Sequence, residues 1–183
     1  MIENCAELVF ATPLWHLNGD LPDGMVEWGL EWMQRNPTNV SKSNSGGYQG
    51  DGNTNFDEIK GFEEYLHKRL EFLPAYWYQN WWINVNHKGD FNWGHTHPGA
   101  ELSGIWYITD NKKTLKFEHP CFHNRLEPLA RMMGHEYDQW DCIHKDCKAG
   151  DIIVFPSDIV HWVEPWTEDW PRGSIAFNLK LKD

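Results

Sequence analysis

The chain has 183 residues, 40% hydrophobic and 23% charged, with a formal net charge of −11. That length suits one domain with one sizeable core, and the composition is that of a globular protein rather than a disordered or fibrous one. The acidic excess repels phosphate backbones and argues against nucleic acid as a partner, since no local basic patch offsets it, Lys112-Lys113, Lys180 and Lys182 being too sparse.

No apolar run approaches the roughly 20 residues of a membrane span. The segment MIENCAELVF has no basic stretch leading into an apolar one, so the expected location is the cytoplasm. In that compartment Cys5, Cys121, Cys142 and Cys147 are not expected to form a disulfide framework.

Residues 6–12 read as a short strand stopped by Pro13. Asp23 to Arg35 reads as a helix with Val26, Leu30 and Met33 on one face, ended by Asn36-Pro37. Residues 36–54, rich in Ser, Asn and Gly, carry no periodicity and are expected to form a mobile loop able to close over a site. Ile59, Phe62, Leu66, Leu70 and Leu73 recur at helical spacing and predict a helix over 55–73, with Asn55 and Glu58 in capping-box spacing. Strands are expected at 76–86, 102–109, 114–118, 151–155, 159–164 and 173–181. Strands in series after two helices predict an α+β domain over 1–183, its helices on one side of antiparallel sheets. Residues 119–148 read as an insertion beside the site. Their four His and three Cys lack a paired C-x2-C, which weakens a zinc reading.

The candidate chemistry lies in that strand-rich half. His95 and His97 are two residues apart, and on a strand both rings would face one side. Neutral imidazoles suit iron, zinc, copper and nickel alike, and a remote third His, His161, would close a facial set of three ligands. Glu101, beyond Pro98-Gly99, could fold back to the same point. His97 is expected as the third ligand because it follows His95 without a turn, with Glu101 at the rim. Arg172 and Ser174 open the last strand. The guanidinium could clamp a carboxylate bidentately, with the Ser174 hydroxyl helping, or simply pair with Glu164, Glu168 or Asp169.

The ordered segments W-x-N-V-N-x-x-G, H-T-H-P-G, L-S-G-x-x-Y, F-P-S and R-x-S-x-x-F-N cover roughly residues 80–180. In this order they resemble the 2-oxoglutarate- and Fe(II)-dependent oxygenases, most nearly a small group from marine bacteria and tailed phages of cyanobacteria. The resemblance implies a double-stranded β-helix, a jelly-roll or cupin-like barrel. It also implies Fe(II) held by His95, His97 and His161, and 2-oxoglutarate held by Arg172, Ser174, Asn86 and Tyr107. The implied reaction uses dioxygen, decarboxylates 2-oxoglutarate to succinate and hydroxylates a substrate, a small molecule or a protein side chain. A phage-encoded protein would work in its host's cytoplasm.

One departure stands out: relatives mostly carry H-x-D or H-x-E where this chain has His95-Thr96-His97. The run from His95 to Glu101 also fits the cupin pattern H-x-H-x3-E. A cupin-like dioxygenase or isomerase without cosubstrate is therefore the alternative, and a barrel serving only as a binding module is a third.

Overall fold

The computed structural model describes residues 12–59, 63–118 and 142–182. Most of the chain lies in two antiparallel sheets. The larger sheet has the order β1-β9-β6-β11-β4-β3, formed by Trp15–Leu17, Ile152–Pro156, Leu102–Tyr107, Arg172–Leu181, Tyr76–Asn86 and Tyr48–Gln49. The smaller has the order β2-β5-β10-β7-β8, formed by Asn44–Ser45, Phe91–His95, His161–Val163, Asn111–Glu118 and Cys142–Cys147. Among the described residues, no helix is long and apolar enough to cross a membrane.

Strand alternation sorts the side chains. On β11, Ile175, Phe177 and Leu179 join Trp81, Ile83 and Val85 of β4 in one hydrophobic cluster. The intervening residues Arg172, Ser174, Ala176 and Asn178, with Asn80, Trp82, Asn84 and Asn86 of β4, belong to the other face. The register confirms the match: Arg172 lies opposite Asn86 and Ser174 opposite Asn84. On that second face Ile105, Tyr107, Ile153 and Phe155 cluster with Leu115, Phe117 and Val163 of the smaller sheet. One face of the large sheet is thus greasy throughout, and the other is half apolar packing and half polar site.

Helix α1 (Met25–Arg35) buries Met25, Gly29 and Trp32. The expected face was Val26, Leu30 and Met33, yet Leu30 is 51% exposed. Aromatic area decides the rotation. Trp32 and Trp28 pack on Trp81 at 4.8 and 5.8 Å, and Gly29 leaves room for Ile108. The helix ends where Asn36 turns its backbone N–H and its side-chain amide onto Trp32 O.

The helix expected over 55–73 is described in two parts. A 3-10 turn covers Phe56–Ile59 and α2 covers Glu63–Arg69, with Lys60 to Phe62 outside the described residues. Beyond α2 the chain tightens, Leu73 N–H donating to Leu70 O. Of the predicted apolar positions, Ile59, Leu66, Leu70 and Leu73 are buried and share the cluster with the large sheet, while Phe62 lies outside the described residues.

Within 36–54, expected as a loop, Asn44–Ser45 pairs with β5 and Tyr48–Gln49 with β4. One short segment therefore joins an edge of each sheet. Its sequence shows no alternation because only two residues pair on each side. The strand expected at 6–12 lies almost wholly outside the described residues, as does 119–141 of the insertion. The insertion's end is β8, paired with β7.

Candidate metal centre

His95 ends β5 and His161 begins β10, directly opposite one another across the ladder. Simple alternation would not bring His95 inward together with Asn92, because they are an odd number of residues apart. A β-bulge corrects this: residues 92 to 95 on β5 match only 161 to 163 on β10. Asn92 and His95 consequently line the same pocket. His97 lies past the end of the strand, not on it as expected. Its N–H donates to Ser157 O at 2.8 Å, which holds the chain extended before the Gly99 turn, where φ is +94°.

The three rings converge. Their centroids are 4.4 Å (His95–His161), 5.0 Å (His97–His161) and 5.1 Å (His95–His97) apart, and ligand-type nitrogens lie within 4.8 Å of one another. Each Nδ1 is engaged elsewhere: His95 with Trp93 O at 2.7 Å, His161 with Ile159 O at 3.0 Å and His97 with Asn178 Oδ1 at 2.8 Å. Oxygen acceptors require Nδ1 to carry the proton, which leaves each Nε2 as a lone pair. His97 Nε2 is buried with no hydrogen-bond partner. Burial lowers all three ring pKa values, that of His97 to about 4 and that of His161 to about 3. At neutral pH the trio is therefore uncharged, the state a cation needs. A borderline divalent metal fits this donor set.

Arg172 is 2% exposed. Its Nε donates to Asn111 Oδ1 at 2.8 Å and its Nη1 to Asn86 Oδ1 at 2.9 Å, and its Cζ lies 5.3 Å from the Tyr107 ring centroid. The three acids that could have neutralised it are paired with lysines: Asp169 with Lys88, Glu168 with Lys112 and Glu164 with Lys116. Among the described residues this buried cation has no carboxylate partner. Such a group calls for an anion, and Arg172 shares its pocket with the three histidines, Ser174 and Asn84.

The family described as "Putative 2OG-Fe(II) oxygenase" matches residues 80–178, just over half of the chain. The chain belongs to this family. The oxygenase also shares its fold with solved structures of low sequence identity. The α-ketoglutarate dependent carbocyclase SnoK of nogalamycin biosynthesis has a TM-score of 0.66 at 13% identity, covering 94% of this chain and 81% of that one. HygX from Streptomyces hygroscopicus, with nickel and 2-oxoglutarate bound, has a TM-score of 0.61 at 10% identity, covering 93% and 84%. A Pseudomonas putida prolyl-4-hydroxylase has a TM-score of 0.58 at 12% identity, covering 94% of both chains. No curated protein matches the sequence. Iron(II) and 2-oxoglutarate are the cofactor and cosubstrate of this oxygenase family, and the imidazole lone pairs and the buried guanidinium fit them.

The remaining expected residues divide. Ser174 lines the oxygenase pocket. Asn86 sits behind it, its Oδ1 accepting from Arg172 and its Nδ2 donating to Asn92. Tyr107 is buried beneath Arg172, and burial raises its hydroxyl pKa. Glu101 points away from the histidines. It is ion-paired with Lys180 at 2.9 Å and accepts from Leu181 N–H, the Lys180 bond being the main reason its pKa is lowered. Asn178, Asn111 and Gln49 were not singled out. Asn178 could have been: it lies six residues after Arg172, an even spacing on one strand and so the same face.

A second group, His16, Cys147 and Asp151, also brings ligand-type atoms together. There Asp151 is engaged by Lys148 N–H and His16, and burial pushes the Cys147 thiol up to about 12. That arrangement pins the turn before β9. Of the four His and three Cys in 119–148 weighed for zinc, all but Cys147 lie outside the side chains described.

Proposed function

We propose that the two sheets form a double-stranded β-helix backed by the helices on the larger sheet, and that His95, His97 and His161 hold iron(II) inside it. Arg172 takes the distal carboxylate of 2-oxoglutarate, with Ser174 as a hydroxyl donor beside it, while Asn86 and Tyr107 hold the guanidinium in place. The observation that carries this reading is the meeting, in one pocket, of three converging imidazoles and a buried guanidinium that has no carboxylate partner among the described residues. When bound, iron(II) with 2-oxoglutarate supplies the activation of dioxygen. The balanced outcome is that 2-oxoglutarate, dioxygen and a substrate C–H give succinate, carbon dioxide and a C–OH.

The chain's own residues do the rest. Three neutral ligands leave the dication's charge undiminished, which favours a dianionic cosubstrate over a site already carrying a carboxylate. Arg172 and the metal that the histidines would hold lie at opposite ends of one pocket, so a small diacid taken up between them would be oriented. Phe155 and Phe117, 4.7 and 6.1 Å from the His161 ring, back that ligand with apolar surface and keep water from it. The open side of the histidine trio, lined by Lys42, Gln49, Trp82, Thr96, Pro98 and Asn178, is where a substrate would approach. Glu101, taken up by Lys180 and Leu181, lends no support to a cupin-type fourth ligand.

The test is succinate formation from 2-oxoglutarate by purified protein with iron(II) and ascorbate, without added substrate. Slow turnover dependent on both iron and 2-oxoglutarate is expected. No turnover, together with no measurable 2-oxoglutarate binding, would refute the reading.

A further inference from the structure

Behind His97 stands a buried chain of neutral groups. Asn178 Oδ1 meets His97 Nδ1 at 2.8 Å and accepts from Ser103 Oγ at 2.9 Å. Ser103 Oγ lies 2.7 Å from Ser157 Oγ, and Asn178 Nδ2 donates to Asn80 Oδ1 at 2.9 Å. Ser157 also supplies the carbonyl that holds the His97 backbone. Ring and main chain of His97 are therefore gripped from the same direction, by β11 and the turn after β9.

The chain could in principle run the other way. Turning both amides would present Asn178 Nδ2 to His97 Nδ1 and put the proton on Nε2. That N–H would then be buried without an acceptor, since His97 Nε2 has no hydrogen-bond partner. Orphaned buried donors are rarer than orphaned acceptors. The direction with Asn178 accepting is the one that leaves a lone pair aimed at the other two histidines.

We infer that Asn178 is the positioning residue that makes His97 a metal ligand, fixing its ring and its Nδ1–H tautomer. This rests on His97 being a ligand, as proposed above. His95 and His161 need no such helper, because each binds a backbone carbonyl two residues before it. His97, beyond its strand, has no such carbonyl and borrows a side-chain oxygen from β11. The amide is neutral, as the imidazole is, so the centre keeps its full positive charge. An Asp at this position would put a carboxylate behind the ring and raise its donor strength.

Nitrogen-15 correlation spectra of the metal-free protein read the tautomer directly, with His97 assigned through His97→Gln. The wild type is expected to show Nδ1–H and a bare Nε2. Asn178→Ala should lose that preference and bind zinc 10–100-fold more weakly, the usual effect of removing a ligand's hydrogen-bond partner. Asn178→Asp should keep the tautomer and bind zinc at least as tightly as wild type. An Nε2–H tautomer in the wild type overturns the inference without any variant. So does an Asn178→Asp protein that binds zinc more weakly than wild type, even if Asn178→Ala does not fold. Zinc titration of the wild type separates the two levels: a correct tautomer with no zinc-induced change at His97 Nε2 would sink the ligand assignment, and this inference with it.

Discussion

At the scale of single residues, the candidate site combines three converging imidazole lone pairs with a buried cation that has no carboxylate partner among the described residues. His95→Ala and His161→Ala are each expected to abolish stoichiometric iron, and His97→Ala to lose most of it, as read by metal analysis of purified protein. Glu101→Gln should keep both iron and uncoupled turnover, because the carboxylate is engaged with Lys180 and Leu181 rather than with the histidines. Loss of iron in Glu101→Gln with retention in His97→Ala would reverse the assignment. Arg172→Ala should leave the metal in place and weaken 2-oxoglutarate at least tenfold. Truncating a buried, charge-assisted contact costs about 2–5 kcal/mol. Anaerobic calorimetry with an inert metal measures it, and equal affinity would count against the clamp.

At the scale of elements, the site depends on a departure from regularity. The bulge at residues 92–95 of β5 turns His95 to the same pocket as Asn92. Deleting Gly94 removes the extra residue, so His95 falls two positions after Asn92 and plain alternation keeps both on one face. Stoichiometric metal should therefore be retained, as read by metal analysis of purified protein. Loss of metal while circular dichroism still reports a sheet-rich fold would show that the bulge itself, and not the choice of face alone, aims the ring. β11 makes the complementary contribution without irregularity in its first half. Its even positions present Arg172, Ser174 and Asn178 to the site, and its odd positions anchor the strand in the cluster beneath the helices.

At the scale of the whole molecule, a metal held as proposed would compete with protons for the same three rings. The folded pKa values of His97 and His161 lie near 4 and 3, below the ordinary 6.5, and that of His95 is lowered too. As pH falls through 6.5 the unfolded chain takes up these protons before the folded one. The stability these groups contribute is therefore full above pH 6.5 and is lost as pH falls toward 3–4. Melting of the metal-free protein should decline over that window, and His97→Gln should decline less steeply; identical pH profiles would contradict the burial of that ring as a neutral base. Near neutral pH, a divalent metal at about 100 times its Kd should add about 2.7 kcal/mol. For a chain of this size that is a rise of about 5–10 °C in Tm. No rise at that saturation would mean that the metal does not prefer the folded state.

Much of this was legible in the chain by itself. Period-two patterns located β4, β6, β7, β9, β10 and β11, because each half-buried strand must alternate or run apolar to cover its faces. The spacing of His95 and His97, with a distant His161 and Arg172, named the candidates, since the chemistry of a ligand or a clamp resides in the residue type. What stayed illegible depended on neighbours distant in sequence. The rotation of α1 was decided by Trp81, a partner outside the helix, and not by the helix's own aliphatic residues. The pairing of 44–45 and 48–49 involves too few residues to leave a pattern. The inward aim of His95 arises from a register shift against β10, and the fate of Glu101 from Lys180 at the far end of β11. Asn178 shows the division most clearly. Its position after Arg172 was in the sequence, but its role arises only when β11 brings its amide to a ring 81 residues away. Local sequence determines which groups are available and which way a strand presents them; only the folded chain decides which of them meet, because hydrogen bonds and charge pairs act over a few ångströms whatever their separation along the chain.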